Sequence, residues 1–134
     1  MKTYVFDASA LFAYLQKTAG GPKVGDLLKE AAKEHARVLM SAVNYGEVYG
    51  RILRDGGQSQ AHLAANVIRA LPVELLDATP QRALQAAEVK AAYRLHYADS
   101  FAAALAFEHK ATLVTSDADF RKLGHSVPVV WLKP

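Results

Sequence analysis

The chain has 134 residues, 51% of them hydrophobic and 22% charged, which argues against disorder and allows one domain to bury a core unaided. Its 16 Lys and Arg exceed its 13 Asp and Glu, and a net charge of +3 is only a weak pull toward anionic partners. Cysteine is absent, which excludes disulfides, thiolate zinc sites and cysteine nucleophiles and suits a reducing, cytoplasmic setting.

Thr3–Phe6 is a short Tyr/Val/Phe run of the kind buried on both faces of a sheet. Ala8–Gln16 reads as a helix, with Leu11, Phe12 and Leu15 at helical spacing. Gly20-Gly21-Pro22 breaks it, and Pro22 suits the first turn of a helix running to about Glu34. Val38–Met40 is a second strand. Ser41 can cap the following helix, which carries Tyr45, Val48, Tyr49, Ile52 and Leu53 and stops at Gly56-Gly57. Ser59 is the expected cap of a helix reaching Ala70, Val73–Leu76 is a third strand, and Pro80 opens a helix to about Leu95. Tyr97–Lys110 is a further helix and Thr112–Thr115 a fourth strand. A short helix over Ala118–Leu123 precedes a fifth strand, Val127–Leu132. The N-terminal apolar run is broken by Asp7 and lacks a small-residue cleavage site, so no signal peptide is expected. No stretch reaches the roughly 18 apolar residues of a membrane span.

Strands alternating with helices predict an α/β fold with a mainly parallel sheet and helices on both faces. Such folds place their sites beyond the carboxyl ends of the strands, where the strand order reverses. Asp7 and Asp117 directly follow strands, whereas Glu47 and Asp99 lie on helical segments. Taken singly, each acid has a plainer role. Asp7 is a good helix cap, Asp99 suits a helix dipole, Glu47 is four residues before Arg51, and Asp117 and Asp119 fit turn chemistry.

The four acids also fall in a recognisable order. Val5-Phe6-Asp7-Ala8-Ser9 resembles the first motif of PIN-domain ribonucleases, an apolar strand, an Asp and a hydroxyl residue two positions on. Ser41 through Glu47 resembles the second, Tyr97-Ala98-Asp99 with its Ala-rich continuation the third, and Thr115-Ser116-Asp117-Ala118-Asp119-Phe120 the fourth. The likeness covers essentially the whole chain, and at this length it is similar to the toxin of a VapBC-type toxin–antitoxin pair. The resemblance implies a single PIN domain over 1–134, a three-layer α/β/α sandwich whose five parallel strands run in the order 3-2-1-4-5. It further implies a metal-dependent endoribonuclease, a homodimer, and a cognate antitoxin whose tail occupies the site.

Two carboxylates about 4 Å apart repel by about 4 kcal/mol at an effective dielectric of about 20, so converging acids call for protons or cations. Oxygen-only donors favour Mg²⁺ or Mn²⁺ over zinc. On this reading Asp7, Asp99 and Asp117 ligate the metal, Glu47 holds it or orients water, and Ser9 and Ser116 contact the acids or the scissile phosphate. Asp119 either ligates a second ion or caps the helix of Phe120 and Leu123. Arg51, Arg54, Lys90 and Arg94 could neutralise RNA phosphates, although a solvated helix face is the better reading of each taken singly. The five histidines show no ligand spacing, and the tyrosines could stack on bases but serve equally as core or interface aromatics. Two other Mg²⁺-dependent α/β classes fit the sequence less well. A phosphorelay receiver needs an acidic pair after the first strand, and a haloacid-dehalogenase-type phosphatase needs an Asp where Ser9 stands. The other alternative is a non-catalytic PIN fold serving as an RNA-binding or assembly module, which need not keep four converging acids.

Overall fold

The computed structural model describes residues 1–134. Its elements follow the chain as β1 (Lys2–Phe6), α1 (Ala8–Leu15), α2 (Gly21–Ala32), β2 (Ala36–Ser41), α3 (Ala42–Gly56) and α4 (Gln58–Ala70). These are followed by β3 (Glu74–Leu76), α5 (Pro80–Tyr93), α6 (Tyr97–His109), β4 (Thr112–Thr115), a 3₁₀ helix (Ala118–Leu123) and β5 (Val129–Trp131). All strand pairs are parallel and the sheet order is β3-β2-β1-β4-β5, the order implied by the resemblance.

The central strands are apolar throughout because both of their faces are covered, and their period of two divides them between two cores. Phe6, Val38, Met40 and Val114 point to one side, where they meet Leu11 of α1, Val24 and Leu28 of α2, Val48 of α3 and Ile68 of α4. Val5, Leu39 and Leu113 point to the other, against Ala102, Ala103, Leu105 and Ala106 of α6 and against Phe120 and Leu123. The alanines let α6 lie close to the sheet, while Phe101 and Ala104 on its flank pack on Ala86 of α5. On the first side, α1 and α2 approach so closely at Gly21 that a Cβ there would sit 2.7 Å from the Ala13 carbonyl oxygen.

Several boundaries depart from the sequence expectation. Ser59 does not cap α4; Gly57 does, at φ 87° and ψ 175°, and Ser59 lies inside the first turn. Gly57 also closes α3, its N–H donating to the Leu53 carbonyl, so one glycine serves both helices. Asp119 does not cap the Ala118–Leu123 segment either. Asp117 does, accepting from the Asp119 N–H, and the segment is a 3₁₀ helix. β5 is three residues long rather than six because Pro128 has no N–H for the ladder, and Val127 is used in the second core instead. α2 ends at Ala32, and Glu34 takes a left-handed φ of 62° in the turn into β2.

Candidate metal centre

β1 and β4 are adjacent (Phe6 pairs with Val114), and the chain leaves the sheet in opposite lateral directions from their carboxyl ends. That reversal opens a crevice. Asp7 follows β1 and enters it as the N-cap of α1, and Asp117 follows β4 and enters it as the cap of the 3₁₀ helix. Asp99 comes from the first turn of α6, and Glu47 from the second turn of α3. Asp7, Ser9, Glu47, Asp99 and Asp117 line one cleft of about 440 Å³, with Phe12, Gly50, Arg51 and Arg54 among its walls. Lys90 and Arg94 are exposed at the end of α5 and are not part of its lining. The largest cavity, about 780 Å³ between α1 and α2, contains none of these acids.

Asp7 is buried and both oxygens of its carboxylate accept hydrogen bonds, Oδ2 only one. Its Oδ1 accepts from Ser9 Oγ at 2.7 Å and from the Ala10 N–H at 3.0 Å, and its Oδ2 accepts from the Thr115 hydroxyl. Thr115 Oγ1 in turn accepts from the Asp117 N–H at 2.9 Å, and Ser9 Oγ accepts from the Ser116 N–H at 3.0 Å. Ser9 therefore sits among the acids as expected, whereas Ser116 contributes its backbone. The hydroxyl that ties Asp7 to Asp117 belongs to Thr115, the last residue of β4, which opens the fourth motif but was not among the candidate site residues.

Glu47 does not pair with Arg51. It is held by Asn44, a wholly buried residue whose Nδ2 donates to Glu47 Oε1 at 2.7 Å and to the Ala98 carbonyl at 3.0 Å. One amide thus fixes the α3 carboxylate relative to the start of α6. Arg51 lies over the Phe12 ring, 4.4 Å from its centroid, and 3.9 Å from Asp55, which also takes Arg54 at 3.0 Å.

The electrostatics show how the acids affect one another. Burial pushes the Asp7 carboxyl up to about 6, against the three hydrogen bonds that favour its anion, and Asp99 pushes it further the same way. Asp99 is also raised to about 6, by burial first and then by Asp117 and Glu47, with His96 opposing. Two carboxyls held this high beside further acids form a donor set that gains from a cation. Its oxygen chemistry, without sulfur, fits a hard divalent ion.

One of the five histidines, none of which shows ligand spacing in the sequence, lies beside the acids. His96 is one turn before Asp99, and its Nδ1 lies 3.6 Å from Asp99 Oδ2 and 3.6 Å from Asp119 Oδ2. These three side chains offer donor atoms within 4.8 Å of one another. An H-x-x-D spacing at a helix start places both residues on one face, and that was the available signal.

Fold and cleft together define an all-parallel α/β protein with a carboxylate centre at the switch point of its sheet. The PIN domain family model matches residues 4–126, and the chain belongs to that family. Among solved structures, it is similar to VapBC2 from Rickettsia felis bound to a promoter DNA fragment, at TM-score 0.77 and 14% identity over 98% of this chain and 99% of that one. It is also similar to VapC20 of Mycobacterium tuberculosis, a sarcin–ricin-loop-cleaving toxin, at TM-score 0.72 and 20% identity over 98% and 99%. DNA-bound VapBC from Salmonella typhimurium gives TM-score 0.74 at 14% identity over 97% and 98%. No curated protein matches the chain in sequence. No helix is long and apolar enough to cross a membrane.

Proposed function

We propose that the chain is a single PIN domain over 1–134 acting as a Mg²⁺- or Mn²⁺-dependent endoribonuclease, the toxin of a VapBC-type toxin–antitoxin pair. The observation that carries this reading is the meeting of Asp7, Glu47, Asp99 and Asp117 in one cleft, with Asp7 and Asp99 both pushed up to about 6. Asp7, Asp99 and Asp117 would hold the ion. Bound there, a divalent cation supplies polarisation of the scissile phosphate and easier ionisation of a water. The chain's own groups do the rest. Ser9 and Thr115 fix the Asp7 carboxylate by hydrogen bonds, Asn44 aims Glu47 at the attacking water, and Arg51 and Arg54 at the cleft wall receive phosphates.

The toxin assignment draws on the VapBC and VapC structures that share the fold over nearly the whole chain. The reading includes a homodimer working in the cytoplasm and an antitoxin whose basic side chain would supply the counter-charge the acids need. The deciding experiment is cleavage of a defined structured RNA by the purified protein with Mg²⁺, with Mn²⁺ and with excess chelator, alongside Asp7→Asn and Asp117→Asn. Cleavage that requires metal and is lost in both variants is the expected result. Equal cleavage by Asp7→Asn would overturn the proposal.

A further inference from the structure

Trp131 is the chain's one tryptophan, and it stands 44% exposed at the carboxyl end of β5, an edge strand. Its neighbours join the cores, Val127 and Val129 the second and Val130 the first, but Trp131 is part of neither. The other exposed aromatics have ring partners, Tyr97 on Phe101 and Phe107 on Tyr93. Trp131 has instead the guanidinium of Arg121, whose central carbon is 5.2 Å from the ring centroid. Arg121 belongs to the 3₁₀ helix and is exposed. It pairs with no carboxylate, unlike Arg51 over Phe12, which also approaches Asp55.

Because every strand is parallel, the carboxyl end of β5 lies at the same end of the sheet as the acid cleft. Trp131 pairs in register with Thr115, whose hydroxyl donates to Asp7 and accepts from the Asp117 N–H. β5 is two strand spacings, about 10 Å, from β1 and the Asp7 that follows it. Exposed Lys122 and Lys133 adjoin the Trp–Arg pair in sequence, so the ring is set among cations. A surface cation–π contact adds little to the fold, so stability does not account for a large apolar ring held in water. An open indole face among cations suits an unpaired nucleobase: the base stacks on the ring and the guanidinium takes an adjoining phosphate. A base inside a duplex has its faces covered by its neighbours and offers none.

We propose that Trp131 and Arg121 form a stacking subsite for one unpaired base of an RNA strand whose backbone continues from there into the carboxylate cleft. Without RNA, Arg121 covers the indole. On binding, the guanidinium moves from the ring to a phosphate and the base takes its place. The inference deepens the nuclease reading and rests on it only for where the cleaved bond lies. It makes the substrate a loop or single strand rather than a duplex, with purines favoured at this position through their stronger stacking.

The test is binding of oligoadenylate, and of the same strand annealed to its complement, by the full chain in excess chelator, where metal-dependent cleavage is off. Since Trp131 is the one tryptophan, its fluorescence reports the subsite without any variant. Oligoadenylate should quench it and the duplex should not. Affinity is followed separately by anisotropy of end-labelled RNA. Trp131→Leu, which keeps an apolar side chain but no ring, should bind at least about fivefold more weakly, and Trp131→Phe should restore most of that loss. Arg121→Gln should reduce the salt dependence of log Kd by about one unit. All three substitutions are at exposed positions and should leave Tm unchanged. Binding without quenching, equal quenching by the duplex, or unchanged affinity in Trp131→Leu would overturn the subsite, and retained metal-dependent cleavage would leave the nuclease reading intact. A parent that binds no oligoadenylate would overturn it too. Loss of self-association in Trp131→Leu with RNA affinity unchanged would overturn it in favour of a protein interface. Stacking at Trp131 in a protein that cleaves no RNA with either metal would support the subsite and refute the nuclease centre instead.

Discussion

Asp7→Asn should make the metal-free protein more stable at neutral pH. The Asp7 carboxyl moves from 3.8 to about 6 on folding, mainly through burial. A carboxyl raised in the folded state contributes stability that is fully present below 3.8 and is lost as pH rises through about 6. The shift is about two pH units at about 1.4 kcal/mol each, so ionised Asp7 costs the fold about 3 kcal/mol above pH 7. Asparagine removes the charge and keeps Oδ1 as acceptor for Ser9 and the Ala10 N–H. Its Nδ2 faces Thr115 Oγ1, which already accepts from the Asp117 N–H, and this poorer fit takes back about 1 kcal/mol. The net gain is about 2 kcal/mol, or roughly 6 °C in Tm for a domain of this size. The assay is urea and thermal unfolding of both proteins in chelator from pH 4 to 8. The gap should be small near pH 4 and widen to a plateau above pH 7. A pH-independent gap, or a parent more stable than the variant at pH 7.5, would refute the reasoning. Saturating Mg²⁺ should reverse the order, since a hundredfold excess over Kd adds about 2.7 kcal/mol to the parent alone.

Thr115→Val keeps the shape of a buried side chain but deprives the Asp7 anion of a donor and the Asp117 N–H of its acceptor. Urea unfolding at pH 7.5 should show a loss of about 2 to 3 kcal/mol. Glu47→Gln removes a charge that raises Asp99, so the Asp99 carboxyl, followed by ¹³C NMR, should titrate below its parent value of about 6. Gly21→Ala forces a Cβ to 2.7 Å from the Ala13 carbonyl and should cost about 1 to 3 kcal/mol in thermal unfolding, with no change in the cleft acids. Arg51→Ala should weaken binding to RNA of any sequence and reduce the salt dependence of log Kd by about one unit.

The parts of the fold legible in the sequence were those in which one residue answers to one constraint. β1, β2 and β4 are buried on both faces, so their apolar runs had little alternative reading, and Gly57 at positive φ is where a helix had to stop. The four acids were legible because their motifs fall in a fixed order, with Asp7 and Asp117 just after strands, Asp99 in the first turn of α6 and Glu47 one turn into α3. Less legible was anything decided by distant partners. The Ser59 cap failed because Gly57 already closed α3 and the chain had no spare residue before α4. Asn44 is polar and lies one turn before Glu47, and nothing in its local sequence shows that the approach of α6 buries it completely. His96 and Asp119 are 23 positions apart in sequence and meet only because the 3₁₀ helix folds back beside the start of α6. Thr115 acquires its role from Asp7, 108 residues earlier.

That separation has a consequence for how the centre comes into being during synthesis. β1, β2 and β3 form one half of the sheet and come from the first 76 residues, but the other edge of β1 has no partner until β4 is made. Asp99 and Asp117 arrive in that same last stretch of chain. An N-terminal fragment on the ribosome therefore holds half of the carboxylates and an open strand edge, and can neither gather the cleft nor leave its sheet safely exposed for long. Completion of the last quarter of the chain closes the edge and assembles the centre in the same event. The carboxylate centre therefore cannot come together until translation of the chain is nearly finished.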